Sequence, residues 1–309
     1  MSLLVVGTMA FDALETPFGK VDRIIGGSGT YLAWAASNFT RDINMVSIVG
    51  GDFPKEEVEA LEARGVNFDG LEVIPDGKSF FWSGRYHMDM NTRDTLVTDL
   101  NVLAQFDPKL PESYRNSEFL MLGNLAPSVQ ISVINQMAKR PKLIVMDTMN
   151  FWMSVALDDL KQLLTMVDVL MVNDSEAREL SGEYSIVKAA VKIQEMGPKY
   201  VIIKKGEHGA LLFHGKSVFY APALPLEDVF DPTGAGDTFA GGFIGHIART
   251  RDISFNNMKT AIIVGSTMAS YCVEKFGPTR LQEVNQEDVQ ARMDEFVELV
   301  NFDIGLVHA

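Results

Sequence analysis

The chain has 309 residues, 47% of them hydrophobic and 22% charged, which is enough for one large or two ordinary domains with an ample core. Its 41 acidic against 27 basic side chains leave a formal charge of −14. That balance argues against nucleic acid or an anionic membrane as partner, because both need basic surface. The single cysteine, Cys272, rules out an intramolecular disulfide and sits in an apolar helical pattern as a small core residue. The histidines (His87, His208, His214, His246 and His308) show no metal-ligand spacing. The apolar start at residues 3–6 is too short for a signal peptide, and no run approaches a membrane span, so a reducing cytoplasm is the expected location.

In chain order, short apolar runs at residues 3–6, 45–49, 119–122, 143–146, 169–172 and 201–203 read as buried strands. Helix candidates lie between them. Asp52-Phe-Pro-Lys-Glu-Glu57 puts an Asp cap before an early Pro and acidic residues, with a stop at Arg64-Gly65. Pro127-Ser128 opens another helix and Asn173-Asp-Ser-Glu176 a third. This rhythm predicts an α/β fold, a mainly parallel sheet with helices on both faces. Two regions break it, at about 12–25 and 71–98; both are strand-like and turn-rich, and residues 80–88 are the densest aromatic stretch. They read either as a small β-sheet lid made from two insertions or as edge hairpins of the main sheet. The C-terminal portion is mostly helical, including 256–274 and 286–300.

The stretch Asp231-Pro-Thr-Gly-Ala-Gly-Asp237-Thr-Phe-Ala-Gly-Gly-Phe243 reads as a turn feeding a helix. Gly234, Ala235 and Gly236 leave their backbone N–H groups open to an anion, and a helix starting there adds unpaired donors and the positive end of its dipole. Asp237 would sit in the first turn, beside a bound phosphate and within reach of an attacking hydroxyl. That arrangement suits phosphoryl transfer. The plainer reading is a tight connection with a capping Asp and small residues for helix packing.

The segment closely resembles the C-terminal signature of the PfkB (ribokinase-like) family of carbohydrate and nucleoside kinases. The resemblance runs from Asp12 to Gly277 and implies one kinase domain over 1–309, with the 12–25 and 71–98 segments as its lid. It implies that Gly234, Ala235 and Gly236 form the anion hole and that Asp237 is the base. Ile25-Gly-Gly-Ser-Gly-Thr-Tyr31 resembles the N-terminal Gly-Gly signature, so Gly26 and Gly27 would contact acceptor hydroxyls. The family usually has Asn where this chain has Tyr31. Asp12, after the first strand, matches a carboxylate that accepts from ribose-type hydroxyls. Asn173 and Glu176 match the N-x-x-E motif that arranges water around Mg²⁺. Lys204-Lys-Gly-Glu-His-Gly209 resembles the turn beside ATP, with Lys204 in place of Thr and with Gly206 and Gly209 retained. Lys204 would reach a phosphate or remain a solvated loop residue. Residues 269–277 resemble the adenine border, which ends at Gly277. Asp231 and Thr233 match positions that bind K⁺ in some relatives.

Asp147-Thr-Met-Asn150-Phe-Trp152 departs from the family's D-x-N-x-R pattern: the Asn is displaced and the Arg is absent. An Arg there would suit acidic or phosphorylated sugars. Its loss, with Tyr31 and the aromatic lid, tilts the acceptor toward a nucleoside whose base stacks on rings. The resemblance thus implies an ATP- and Mg²⁺-dependent kinase for a sugar or nucleoside hydroxyl, leaning to nucleoside. The alternatives are a neutral-sugar kinase and a catalytically silent ligand-binding relative. The lid would serve as a free flap or as the clasp of a homodimer.

Overall fold

The computed structural model describes residues 2–301. Thirteen strands form among the described residues: β1 Leu3–Val6, β2 Ala10–Thr16, β3 Gly19–Gly26, β4 Ile43–Gly50, β5 Val66–Ile74, β6 Phe80–Tyr86, β7 Arg93–Asp99, β8 Phe119–Leu122, β9 Leu143–Asp147, β10 Val169–Asn173, β11 Tyr200–Lys204, β12 Ala210–His214 and β13 Ser217–Ala221. Nine build one sheet, ordered β13-β12-β11-β10-β9-β8-β1-β4-β5. Every neighbouring pair from β5 to β11 is parallel, and only the β11-β12-β13 edge turns antiparallel. β1 lies in register with both neighbours, Leu3 beside Ile43 and Phe119.

The apolar runs have no polar alternation because both faces are covered. Leu3, Val5, Phe119 and Met121 enter one core, with residues of the helices Ser28–Ala36, Ala235–Thr250 and Phe255–Cys272. Leu4, Val6, Leu120 and Leu122 enter the opposite core, with residues of Leu157–Leu164, Asp174–Ser181 and Ile186–Glu195. The two-residue period of a strand divides successive side chains between these layers. Small residues bring the first group of helices close: a Cβ on Gly241 would come within 2.6 Å of the Leu32 carbonyl oxygen. Cys272 is buried in this core, in line with its apolar setting in the sequence.

A separate four-stranded sheet, ordered β3-β2-β6-β7, forms the lid. Pairing is antiparallel for β2-β3 and β6-β7 but parallel for β2-β6, which joins the two insertions into one sheet. The expected second segment, 71–98, begins too early. Residues 71–74 finish β5, pairing with β4 at the edge of the main sheet, and lid structure starts at Phe80. The sequence blurs that boundary because an exposed edge strand and a lid strand carry the same half-polar pattern. Among the described residues, no helix is long and apolar enough to cross a membrane.

Candidate active site

Strand order reverses across β1, whose following strands run to β4 and β5 on one side and to β8 and beyond on the other. Ligands of open α/β sheets bind at the carboxyl ends of strands beside such a switch point. Most of the expected site residues meet there. Asp147, Asn173 and Lys204 end the adjacent strands β9, β10 and β11, with Asn173 directly opposite Lys204.

The turn at residues 231–237 has the geometry its small residues suggested. Gly234 adopts a left-handed conformation (φ 76°, ψ −3°) immediately before the helix Ala235–Thr250. Only glycine adopts that conformation without steric cost, and a Cβ there would also overlap the ring of Tyr31. The amides of residues 235–237 lie within the helix's first turn, where backbone donors lack intrahelical partners; that of Ala235 donates instead to the Pro232 carbonyl at 3.2 Å, leaving those of Gly236 and Asp237 to meet an anion. Asp231 braces the turn from below: Oδ1 accepts from the Thr233 amide and Oδ2 from the Gly277 amide, both at 2.9 Å.

Asp237 is the titratable group at the centre. Burial, reinforced by the charges of Asp147 and Glu176, pushes its pKa up to about 7, while Lys204 and Arg93 pull the other way. A base poised near neutrality gives up and takes protons with little waste of driving force. The Lys204 ammonium pairs with Asp147 Oδ2 at 2.5 Å, and both side chains are largely enclosed. Lys204 is therefore not a solvated loop lysine. Burial lowers its pKa, but Asp147 and Glu176 outweigh that and hold it above the ordinary lysine value. Its Nζ would lie 3.0 Å from a Cβ placed on Gly236, so the charge sits at the mouth of the anion-binding turn.

Asn173 and Glu176 close a reciprocal capping box: Asn173 Oδ1 accepts from the Glu176 amide at 2.8 Å, and Glu176 Oε2 from the Asn173 amide at 2.7 Å. Burial and the Asp147 charge raise Glu176 to about 7 against the pull of Lys204 and Arg93. Three carboxylates, Asp147, Glu176 and Asp237, thus face one ammonium, and this excess of negative charge suits a divalent cation. Among the described residues, no three acidic, His or Cys side chains converge tightly enough to enclose a metal. Mg²⁺ normally keeps several waters, so the open donor set of Asn173 and Glu176 fits that ion.

At the acceptor end, Asp12 on β2 is buried beside Gly26, where any Cβ would overlap its carboxylate. Burial, then the charges of Asp231 and Asp237, raise the Asp12 pKa to about 8. Gly27 precedes the helix Ser28–Ala36, and paired bonds between Thr8 and Ser28 hold the two loops together (Ser28 N to Thr8 Oγ1, 3.0 Å; Thr8 N to Ser28 Oγ, 3.1 Å). Tyr31 is 1% exposed, its ring beneath Gly234 and its hydroxyl without a hydrogen-bond partner. A neutral cluster borders this end: Trp152 Nε1 donates to Asn124 Oδ1 at 2.8 Å, and Asn124 donates its amide N–H to Met149 Sδ. Because the indole only donates, it fixes which way the amide faces.

Gly206 and Gly209 shape the turn after β11, and the lid reaches both this turn and the far wall of the site. A Cβ on Gly206 would overlap Asn91 at the tip of the β6-β7 hairpin, and one on Gly277 would come within 2.7 Å of Ile24 on β3. Thr233, in the turn before the helix Ala235–Thr250, donates its hydroxyl to the Tyr86 hydroxyl oxygen at 3.1 Å. Phe18 packs on Phe230 with ring centroids 5.4 Å apart. Sequence patterns missed Asp147 as the partner of Lys204, and also Tyr86, Arg93 and Asn124. These act across distances of tens of residues, and no local spacing marks them. The only local sign was the interrupted D-x-N-x-R pattern, which drew attention to Asp147 without its partner.

Comparisons with known proteins show the family and the fold. A family model described as "pfkB family carbohydrate kinase" matches residues 3–285. The cytidine kinase of Thermococcus kodakarensis is 28% identical over 281 residues, covering 90% of this chain and 98% of its own. The nucleoside kinase of Burkholderia thailandensis, solved with inosine, superposes with a TM-score of 0.75 at 20% identity, over 95% of this chain and 97% of that one. A ribokinase-like protein of E. coli, solved with ATP and Mg²⁺, superposes with a TM-score of 0.78 at 17% identity, over 95% and 99%. With a ribokinase-like sheet, a lid and a family match over residues 3–285, the chain belongs to the pfkB family of carbohydrate kinases.

Proposed function

We propose that the chain transfers the γ-phosphoryl group of ATP to a ribose hydroxyl of a nucleoside. The observation that carries this is the convergence of two carboxylates, Asp12 (buried) and Asp237 (half-buried), close enough for their charges to interact, with the first helical turn after Gly234. Asp12 accepts from ribose hydroxyls through the gap left by Gly26, and the unpartnered Tyr31 hydroxyl offers a further buried contact. Asp237 takes the proton of the attacking hydroxyl while the amides of Gly236 and Asp237 hold the transferred group. Lys204 adds a positive charge on that group's side. Asn173 and Glu176 would hold Mg²⁺, which would supply charge neutralisation at the phosphates when bound.

The lean toward a nucleoside rests on the acceptor border. Where an Arg would select an acidic sugar, this chain places the uncharged Asn124, Met149 and Trp152, with Phe151 edge-on to Trp152 (centroids 4.9 Å apart). An aromatic, neutral border suits a base, which gains by stacking. Of the relatives above, one is a cytidine kinase and one is a nucleoside kinase solved with inosine, which supports the same choice.

The test is ATP turnover across cytidine, inosine, adenosine, ribose and fructose. The expected outcome is one nucleoside with a kcat/KM at least ~10-fold above either free sugar. A sugar that outruns every nucleoside overturns the acceptor assignment.

A further inference from the structure

We propose that Arg93 of the lid is a catalytic residue whose guanidinium binds the transferring phosphoryl group when the lid is closed, so that closure and chemistry are coupled. The proposal rests on the kinase reading above and not on the identity of the acceptor.

The placement follows from strand register. Arg93 opens β7 directly opposite Tyr86, the last residue of β6. Residues paired across an antiparallel ladder project from the same face of the sheet. The Tyr86 side chain reaches Thr233, three residues before the anion-binding amides begin. Arg93 therefore stands on the lid face that meets the phosphate turn.

Its surroundings hold it there. The loop between Tyr86 and Arg93 is closed by Asp89, which accepts from the Asn91 and Thr92 amides (3.1 and 2.8 Å) and from the Thr92 hydroxyl (2.6 Å). Asn91 in that loop abuts Gly206, in the turn beside ATP. The hairpin tip thus lies on the nucleotide side, with Arg93 between it and the phosphate turn. The Trp82 ring lies over Gly84, in space any side chain there would fill, and the Arg93 guanidinium carbon is 6.0 Å from its centroid.

Arg93 is also uncommitted. The other arginines of the lid strands are held in ion pairs, Arg23 with Asp52 at 2.8 Å and Arg85 with Glu15 at 2.9 Å. Among the described residues, Arg93 has no such pair, although it faces a site rich in carboxylates. Its charge lies near enough to Asp237 to oppose the burial that raises that carboxyl. In a chain of net charge −14, a free guanidinium over the site relieves the repulsion that ATP otherwise meets.

In the step itself, the acceptor oxygen forms a bond to the γ-phosphorus as the bond from that phosphorus to the β-bridging oxygen breaks. The electron pair leaves with ADP, and the hydroxyl proton passes to Asp237. Arg93 exchanges no proton. It donates N–H bonds to oxygens of the transferred group, which bear the charge from reactants to products. Because Arg93 is on the lid, those bonds form only in the closed state, and water is excluded at the same moment.

The test compares Arg93→Met and Arg93→Ala with the wild type, using whichever acceptor the wild type turns over fastest. Expected are a fall in kcat of about 10²-fold, changes in the KM for acceptor and in calorimetric ATP·Mg binding of about 3-fold or less, and partial recovery of Arg93→Ala by added guanidinium ion. Preserved ATP·Mg binding shows that the variants are folded. The proposal is overturned by a kcat within twofold of wild type, by a loss confined to the acceptor KM, or by a kcat loss that guanidinium does not relieve. A sugar as the best acceptor sinks the nucleoside assignment and leaves this test intact.

Discussion

At the phosphoryl end of the site, the backbone frame closes over short stretches of chain (the turn after Gly234, the Asn173-Glu176 capping box, and Asp231 bound to the Thr233 amide), and long-range contacts such as Lys204 to Asp147 and Asp231 to the Gly277 amide are added to it. At the acceptor end every contact joins distant segments, Asp12 to Gly26, Tyr31 to Gly234, Trp152 to Asn124. Short-range geometry is demanded by the backbone itself and leaves little freedom. Long-range contacts can be re-tuned one side chain at a time. The difference is what a family needs if it keeps one reaction and changes its acceptor.

The sharpest way to break the comparison is Asp237→Asn. It should lower kcat by at least ~10²-fold with nucleotide binding and fold intact, because an amide cannot take the proton. Near-normal turnover in that variant would remove Asp237 from the mechanism. A smaller effect, confined to the other end, is expected from Gly26→Ala. Its Cβ would displace the Asp12 carboxylate, so the acceptor KM should rise at least ~10-fold while calorimetric ATP binding stays within about twofold. Equal losses on both sides would show that the two ends are not separable.

The smallest effect concerns stability. Asp12 and Asp237 have folded pKa values of about 8 and about 7, well above an unfolded Asp near 4. Between those limits the folded chain binds more protons than the unfolded one. The stabilisation is complete below pH 4 and is lost as pH rises through 7 to 8. The ligand-free Tm should therefore fall from pH 6 to pH 8.5. Asp12→Asn should flatten that fall, raising Tm about twice as much at pH 8.5 as at pH 6. A pH-independent difference between the two proteins would show that Asp12 titrates normally.

Much of this architecture could be read along the chain. The strand positions at 3–6 and 119–122 and the helix at 286–300 agree with the structure to the residue, because an uninterrupted apolar run and a capped amphipathic run each fit one period only. The lid was legible as a break in rhythm, but its lower boundary was not, since β5 at the sheet edge carries lid-like polarity. In the site, Gly234, Asp237 and the Asn173-Glu176 pair were legible because turn and cap chemistry is local. The Lys204-Asp147 pair was not, because 57 residues separate the partners and only the adjacency of strand ends brings them together. Removing either would leave the other charge buried, at a cost of about 3–5 kcal/mol, yet nothing near either residue records that dependence.

Sequence alone determined that a glycine turn at 231–237 feeds a helix and that a carboxylate stands in the first helical turn. Both are written in consecutive residues, and the backbone has few ways to satisfy them. Only the tertiary structure decided what surrounds that turn: Tyr31 beneath it, Lys204 at its mouth, and Tyr86 and Arg93 brought over it by the lid. Those positions depend on sheet order and strand register, which bring distant residues together and leave no mark in the spacing between them.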